Sequence, residues 1–236
     1  MNTANLSAQA GPFLDYLDRW MADLPVLSLS EAIPNPAGAA ILSVDVTRGF
    51  CYEGPLSSPR VAGIVAPIRS LFVRAWEHGV RNILLSQDTH EPDAVEFAQW
   101  PAHCVRGTPE AETVEEFRSL PFFDQIIVIE KNSIASGLDA DLDRWLTGHP
   151  EIDTFIVTGD CTDLCTYQLA MHLRLDANER QLRRRVILPE NCAQTYDLPV
   201  NAAKALGVMP HPGDLIHATF LYHMQLNGIE VVSQIA

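Results

Sequence analysis

Three residues that follow apolar runs in the sequence could form a nucleophilic centre. Cys165 ends the segment Thr158-Gly-Asp-Cys-Thr-Asp-Leu-Cys165, which follows one apolar run and opens a helical pattern. With Thr162 as the predicted N-cap, Cys165 falls in the first helical turn, where free N–H groups stabilise a thiolate or a developing oxyanion. Asp45 and Lys131 end two other apolar runs and would supply a base and a cation. These residue types predict covalent catalysis by cysteine.

Each of these residues also has an interpretation without chemistry. A free cysteine is commonly a small buried hydrophobic residue, and Asp45 with Lys131 can form an inert structural ion pair. Cys161 and Cys165 form a C-x3-C pair that lacks the usual zinc-ribbon spacing. A catalytically silent scaffold, whose N-terminal helix mediates assembly, therefore stays open. Packing roles are assigned to the remaining cysteines, Cys51, Cys104 and Cys192.

A second group of residues predicts a metal site. Asp88 and His90 follow another apolar run, and residues two apart in an extended segment project to the same side. His103 follows in Trp100-Pro-Ala-His103. One carboxylate and two imidazoles leave coordination positions open, which suits a working divalent metal. Zinc, iron and manganese all accept such ligands. The trio also matches a non-haem iron oxygenase triad, although the strand pattern does not favour that interpretation.

The elements that must position these residues alternate between strands and helices. Strands are predicted at Ala40–Val46, Asn82–Ser86, Gln125–Glu130, Thr154–Thr158, Arg185–Leu188 and Ile229–Ser233. Helices are predicted at Val61–His78, Asp139–Leu146, Thr162–Leu175 and Pro212–Leu226. Strands this apolar are buried on both faces, so the pattern predicts an α/β fold: a doubly wound six-stranded parallel sheet with helices on both faces. Ligands in such sheets bind at the carboxyl ends of the strands.

The first 38 residues are predicted to form a helical extension, and residues 39–236 the catalytic domain. The stripe Phe13, Leu17, Trp20, Met21 and Leu24 predicts a helix that packs on its own domain or on another subunit, in preference to a membrane anchor. The N-terminus has no signal-peptide pattern, and five cysteines are too few for a disulfide scaffold. We therefore expect a cytoplasmic protein with reduced thiols.

Composition and motifs exclude several functions. Sixteen basic and thirty acidic residues give a net charge of −14, which disfavours nucleic acid and anionic membrane as partners. The cluster of Arg180, Arg183, Arg184 and Arg185 is interpreted as a solvated helix end. The motifs G-x-G-x-x-G, G-x-x-x-x-G-K-[ST] and G-x-S-x-G are absent from the sequence. A small-molecule substrate is the expected partner.

The motifs together resemble the isochorismatase-like cysteine hydrolases, and within them the nicotinamidases. The resemblance runs from about Ala39 to Val232. It is carried, in order, by Val44-Asp-Val-x-x-x-Phe50, Gln87-Asp-Thr-His90, Trp100-Pro-Ala-His-Cys-Val-Arg-Gly-Thr108, Lys131 and Thr162-Asp-Leu-Cys165. It implies an isochorismatase-like hydrolase fold, an amidase activity and self-association into a homo-oligomer.

The resemblance also assigns a role to each residue. Cys165 becomes the nucleophile, Asp45 the general base and Lys131 the cation that keeps the pair charged. The backbone amides of Cys161 and Cys165 form the oxyanion hole, with a cis peptide before Cys161. Asp88, His90 and His103 ligate the metal, which in nicotinamidases receives the pyridine nitrogen, and Phe50 and Trp100 sandwich the ring.

Two segments depart from the family pattern and leave the substrate open. After Asp45 the chain has Val-Thr-Arg-Gly where the family often has Val-Gln-Asn-Asp, and Glu91–Phe97 lacks the second histidine of many nicotinamidases. Either water or Glu96 then fills that coordination position. The alternative to a metal-containing nicotinamidase is a metal-independent hydrolase of the same superfamily that acts on an N-carbamoyl or ureido substrate.

Overall fold

The computed structural model describes residues 5–236 and contains nine β-strands within them. The strands are β1 (Val26–Leu27), β2 (Ala39–Val44), β3 (Asn82–Asp88), β4 (Ile127–Lys131), β5 (Thr154–Asp160), β6 (Arg185–Pro189), β7 (Ala193–Gln194), β8 (Glu230–Val232) and β9 (Gln234–Ile235). The α-helices of the same residues are α1 (Leu6–Gln9), α2 (Gly11–Ala22), α3 (Leu29–Ala32), α4 (Arg48–Cys51), α5 (Pro59–Ala62), α6 (Val65–His78), α7 (Glu115–Arg118), α8 (Ala140–Gly148), α9 (Cys165–Glu179), α10 (Val200–Leu206) and α11 (Gly213–Leu226). Short 3-10 turns connect several of them.

The central sheet has the order β4-β3-β2-β5-β6-β8, and all its neighbouring strands run parallel. These six strands are the predicted ones with slightly different bounds, so the predicted doubly wound fold is confirmed. The structure adds a seventh strand, β7, which pairs with the last two residues of β5. A separate two-stranded sheet joins β1 to β9.

Hydrophobic cores lie on both faces of the sheet because successive strand residues point to opposite sides. On β2, Ile41 belongs to the core that includes α6, whereas Leu42 belongs to the core that includes α8, α9 and α11. Both side chains are fully buried. The near-continuous apolar strands of the sequence therefore serve two cores at once.

The register brings four strand ends to one edge of the sheet. Val44 on β2 lies opposite both Ser86 on β3 and Gly159 on β5, and Asp88 lies opposite Lys131 on β4. Gly159 has φ +118°, and a Cβ there would lie 2.0 Å from the carbonyl oxygen of Val44. Only glycine allows this close approach of β5 to β2.

Two helix boundaries differ from the sequence prediction. The predicted helix Val61–His78 is divided at Gly63 into α5 and α6. Pro67 stands in the first turn of α6, where a missing N–H removes no helical hydrogen bond, so the helix restarts just before it. The predicted helix Thr162–Leu175 begins only at Cys165, so Thr162 as its N-cap was wrong: Leu164 occupies that position without a side-chain cap bond.

The arginine cluster is only partly a solvated helix end. Arg180 and Arg183 are exposed, but the side chain of Arg184 is only 9% exposed. Arg184 contacts Asp176 at 2.7 Å and lies over the ring of Phe155, 5.4 Å from its centroid. The prediction was therefore wrong for Arg184, which packs onto the sheet, and for Arg185, which begins β6 and lies 2.8 Å from Glu230.

The predicted N-terminal helix is present and packs on the same chain. Leu17 of α2 is buried, and the rings of Trp20 and Tyr222 on α11 lie edge to face with centroids 5.5 Å apart. Within residues 5–236, no helix has both the length and the apolar character needed to cross a membrane. Residues 1–4 of the predicted extension lie outside the described residues, and the domain division at residue 38 stays a prediction.

Candidate active site

Lys131 lies at the centre of a buried cluster of charged groups. Its Nζ is 2.7 Å from Asp45 Oδ2, contacts Asp88 Oδ1, and is 3.8 Å from Cys165 Sγ. All four residues are buried, at 1% exposure for Asp45, Asp88 and Lys131. Buried charges are costly unless they are paired, and here one ammonium is shared by two carboxylates. The structure thus brings together the acid, the lysine and the thiol that the sequence singled out.

Backbone conformation at the end of β2 orients Asp45. Its φ of +55° lies in the left-handed region, where aspartate is enriched among non-glycine residues. The N–H of Asp45 donates to the carbonyl of Ser86, and Asp45 Oδ1 accepts from the N–H of Asp88 at 2.7 Å. Both hydrogen bonds go to β3, so the carboxylate is held towards the strand that neighbours Lys131.

Cys165 is the first residue of α9 and follows a short turn, which we call the nucleophile loop (Cys161–Leu164). The peptide bond before Cys161 is cis, as the resemblance implied. Because Cys165 stands in the first turn of α9, its N–H has no partner within the helix. The amide groups of Cys161 and Cys165 therefore stand at the two ends of the turn that leads to the thiol.

The pKa values indicate where the protons reside. Burial raises the pKa of Cys165 well above its ordinary value, although the Lys131 charge opposes this. Burial and the Asp88 charge raise the pKa of Asp45 to about 6, again against Lys131. Burial would lower the pKa of Lys131, but the charges of Asp45 and Asp88 raise it well above its usual value. The resting state is a neutral thiol beside an ionised lysine and a moderately basic carboxylate.

The predicted metal ligands also converge. Asp88, His90 and His103 each offer one ligand atom, all within 4.8 Å of one another. The Nε2 atoms of His90 and His103 lie 3.5 and 3.7 Å from Asp88 Oδ2. Burial would raise the pKa of Asp88, but the charge of Lys131 holds it well below its usual value, so the carboxylate is ionised.

The hydrogen bonds of the two imidazoles fit a metal site. His90 Nδ1 lies 2.8 Å from Asn132 Oδ1, and His103 Nδ1 lies 2.8 Å from the carbonyl oxygen of Pro101. Both partners are acceptors, so each Nδ1 carries the proton and each Nε2 has a free lone pair. His90 Nε2 is buried without a hydrogen-bond partner. This unpartnered atom, which points towards an ionised carboxylate, is what a divalent cation would satisfy.

A second set of donors nearby already has its cation. Ligand atoms of Asp45, Asp88 and Cys165 also lie within 4.8 Å of one another. Lys131 Nζ contacts all three residues, so its ammonium supplies the positive charge there. Of the two donor sets, the one with histidines is the better candidate for a metal.

Aromatic rings border the histidines. Phe50 lies against His103 with ring centroids 5.6 Å apart. Phe97, which the sequence analysis did not select, contacts His90 and His103 at 5.4 and 5.7 Å. Trp100 is half-buried, and no ring contact joins it to Phe50 among the described residues, so a sandwich of these two rings stays a prediction.

Other residues of the site were missed because their partners are distant in sequence. Asn132 had a signal, since it directly follows Lys131 at a strand end. His211 and His217 were not among the predicted site residues, but both are buried and hydrogen-bond to the nucleophile loop. Glu96 is not part of the metal-ligand cluster, although its charge acts on His90.

Comparisons with known proteins identify the family of the chain. Residues 39–230 match the family model of the isochorismatase domain. Nicotinamidase 1 of Arabidopsis thaliana is 28% identical over 241 residues, which cover 93% of this chain and 96% of that protein.

Two solved structures share the fold. The pyrazinamidase of Pyrococcus horikoshii, solved in complex with zinc, superposes with a TM-score of 0.64 at 23% identity, covering 83% of this chain and 98% of that one. The N-carbamoylsarcosine amidase of Thermoplasma acidophilum gives a TM-score of 0.60 at 23% identity, covering 82% and 95%. The matched domain, which covers most of the sequence, shows that the chain belongs to the isochorismatase family of hydrolases.

Proposed function

We propose that this protein is a metal-containing cysteine amidase that converts nicotinamide to nicotinate and ammonia. The observation that carries the proposal is the convergence of Cys165 Sγ, Lys131 Nζ and the Asp45 carboxylate beside the buried cluster of Asp88 and two histidines. A thiol, a base and a cation in contact are the requirements of covalent amide hydrolysis. The similarity to Arabidopsis nicotinamidase 1 supports the substrate.

In the first half-reaction Asp45 is the general base. It takes the proton of Cys165 as Sγ attacks the amide carbon, and Lys131 balances the charge that appears on the sulfur. A general base works best when its pKa lies near the operating pH, and a pKa of about 6 meets this requirement for Asp45. Attack produces a tetrahedral intermediate whose oxyanion accepts hydrogen bonds from the amides of Cys161 and Cys165.

The intermediate then collapses to a thioester. The carbon–nitrogen bond breaks, and protonated Asp45 returns its proton to the leaving ammonia. Water, deprotonated by Asp45, then attacks the thioester carbonyl and the carbon–sulfur bond breaks. Protonated Asp45 returns its proton to the Cys165 sulfur, and the acid product loses its own proton to solvent to become nicotinate. Fixed oxyanion donors are typically worth about 3–4 kcal/mol each.

Asp88, His90 and His103 are the residues that would hold the metal, with zinc as the expected ion and iron or manganese as possible replacements. The bound ion would supply a Lewis acid for the pyridine nitrogen of the substrate. Phe50 and Trp100 are proposed to bind the faces of the ring. A cytoplasmic location and self-association stay predictions of the sequence.

The metal-independent alternative, an N-carbamoyl or ureido hydrolase, draws support from the shared fold of N-carbamoylsarcosine amidase. The free Nε2 of His90 beside an ionised Asp88 favours the metal-containing form. Elemental analysis of protein purified without chelators separates the two. An absent metal, together with full activity of His90→Ala, would favour the alternative.

The direct test is an ammonia assay of the purified protein with nicotinamide and with an N-carbamoyl amino acid. We expect turnover of nicotinamide, and loss of at least about 10⁴-fold in Cys165→Ala, because the nucleophile is removed. Cys192→Ala is the matched control, since that buried cysteine lies in the opposite core and should leave activity intact. Turnover that persists in Cys165→Ala would contradict the proposal.

A further inference from the structure

The nucleophile loop is held by two buried histidines from the C-terminal quarter of the chain. Thr162 Oγ1 lies 2.7 Å from His217 Nδ1 on α11. Asp163 Oδ2 lies 2.9 Å from His211 Nε2, in the segment just before α11. The side chains at both middle positions of the loop therefore end on an imidazole.

The two histidines differ on the side that faces away from the loop: His211 has a hydrogen bond there, and His217 has only a longer contact. His217 Nε2 faces Glu190 Oε1 at 3.4 Å, and His211 Nδ1 lies 2.9 Å from the carbonyl oxygen of Tyr196. The ring of Tyr196 also stacks on His211 with centroids 3.8 Å apart. His211 therefore cannot rotate without losing a second hydrogen bond, whereas His217 Nε2 has no hydrogen-bond partner and the ring is held by its bond to Thr162 and by burial.

The chain Thr162–His217–Glu190 resembles a hydroxyl, imidazole and carboxylate triad, but it cannot attack a substrate. Thr162 is 0% exposed, so no substrate reaches its hydroxyl. Asp163 is similarly occupied, because its second oxygen accepts from Thr195 Oγ1 at 2.6 Å. These side chains hold the loop and do not react.

We propose that His211 and His217 are positioning residues that set the orientation of the oxyanion-hole amides in the nucleophile loop. The effect on catalysis rests on the proposed function, whereas the anchoring of the loop does not. Oxyanion donors work only when they are fixed where the charge develops, and small displacements are expensive. Asp45 and Lys131 come from other strands, so loss of either histidine should disturb the oxyanion donors and not the base.

Paired variants test the hydrogen bond separately from the packing. His217→Leu and His211→Leu remove the polar atoms, whereas His217→Asn and His211→Gln keep a nitrogen close to the Nδ1 or Nε2 that bonds the loop. Thr162→Val removes the hydrogen bond to His217 from the side of the loop. It serves as the test if His217→Leu does not fold. His78→Gln is the matched control, because His78 bonds the carbonyl of Ile33 at 2.9 Å and precedes β3, at the opposite edge of the sheet.

For the leucine variants and Thr162→Val we expect a roughly 10- to 100-fold fall in kcat with KM within about twofold. The rate at which iodoacetamide alkylates Cys165 should be unchanged. The fraction of protein that iodoacetamide can alkylate gives the amount of enzyme with a reactive thiol, and kcat should be calculated for that amount. The amide variants should recover most of the loss. Thr162→Val added to His217→Leu should cost nothing further. Equal kcat in all variants, or a rise in KM that matches the fall in kcat, would overturn the proposal.

Amide hydrogen exchange provides a readout that needs no substrate. Peptides that contain the nucleophile loop should exchange roughly 3- to 10-fold faster in the leucine variants and not in His78→Gln. If the wild-type protein hydrolyses no amide but the loop exchanges faster, the proposed function fails and the anchor stands. Unchanged exchange in the loop refutes the anchor whatever the substrate.

Discussion

The charged centre and the nucleophile loop are held by different kinds of contacts. Asp45, Asp88 and Lys131 stand at the ends of adjacent parallel strands, and the backbone ladder sets their relative positions. The nucleophile loop depends on side chains, since its histidine partners lie 48 and 55 positions further along the chain. A strand-end site should tolerate changes around it and fail when its charges are unbalanced. A loop site should lose precision when a single hydrogen bond is removed.

The largest effect is expected when the charged centre loses its cation. Lys131→Met leaves the buried carboxylates of Asp45 and Asp88 adjacent to each other without the ammonium that both of them contact. Breaking a buried ion pair on one side costs about 3–5 kcal/mol, and activity should fall roughly 10³- to 10⁴-fold. Urea unfolding and the ammonia assay measure the two effects.

The matched control for this change is Lys204→Met, because Lys204 is exposed on α10. It should alter neither the free energy of unfolding nor kcat by more than the experimental error. If Lys131→Met unfolds at the same urea concentration as Lys204→Met, the charges are balanced by something other than the lysine.

The junction between the two regions is Gly159, and Gly159→Ala should have the next largest effect. The new Cβ would meet the carbonyl of Val44 at 2.0 Å while the backbone keeps a φ of +118°. Strain and overpacking together should cost roughly 3 kcal/mol or more. Gly207→Ala is the control, since Gly207 also has a positive φ but an added Cβ there would have no atom within 4 Å. Only the strain of about 1–2 kcal/mol should remain. Similar losses of Tm in the two variants would contradict this account of the junction.

The same contrast explains what the sequence could predict. Asp45, Asp88 and Lys131 were identifiable because charged residues at the ends of buried strands are conspicuous, and parallel strands place such ends at one edge. The packing of the nucleophile loop could not be predicted in this way, because no local pattern reveals that Thr162 bonds His217. Thr162 was instead given the local role of N-cap, which was wrong.

The break at Gly63 was missed for a related reason. Apolar residues spaced three and four apart continue across it, so periodicity alone indicated one helix from Val61 to His78. The seventh strand, β7, has only two residues and forms because it adjoins the end of β5. Contacts of this kind are determined by tertiary structure, and sequence periodicity carries little information about them.

A smaller effect is expected at the metal site, from the residue that orients one ligand. Asn132→Leu removes the acceptor of His90 Nδ1 and lets the imidazole adopt the other tautomer. Loss of such a partner typically weakens metal binding 10- to 100-fold. Competition titration of the chelator-treated protein with zinc measures this. Asn201→Leu, at an exposed position of α10, is the control and should bind zinc as the wild type does.

The outcome at Asn132 sharpens the comparison because His90 is placed by a strand end but oriented by a side chain. Unchanged zinc affinity in Asn132→Leu would mean that the backbone alone determines the ligand geometry. An effect on affinity without a change in the unfolding free energy of the metal-free protein would show that side-chain orientation matters even at a strand end.

The smallest predicted effect concerns Thr195, which supports the nucleophile loop from β7's side. Thr195→Val keeps the shape of the side chain but removes its 2.6 Å hydrogen bond to Asp163. Because His211 still holds the other oxygen of Asp163, we expect a cost of about 1 kcal/mol in stability and roughly a fivefold fall in kcat. Thr219→Val, on α11 and outside the loop contacts, is the control. If Thr195→Val lowers kcat as far as His211→Leu does, the two hydrogen bonds to Asp163 act as a single unit. The loop is then anchored by a cooperative network and not by two independent histidines.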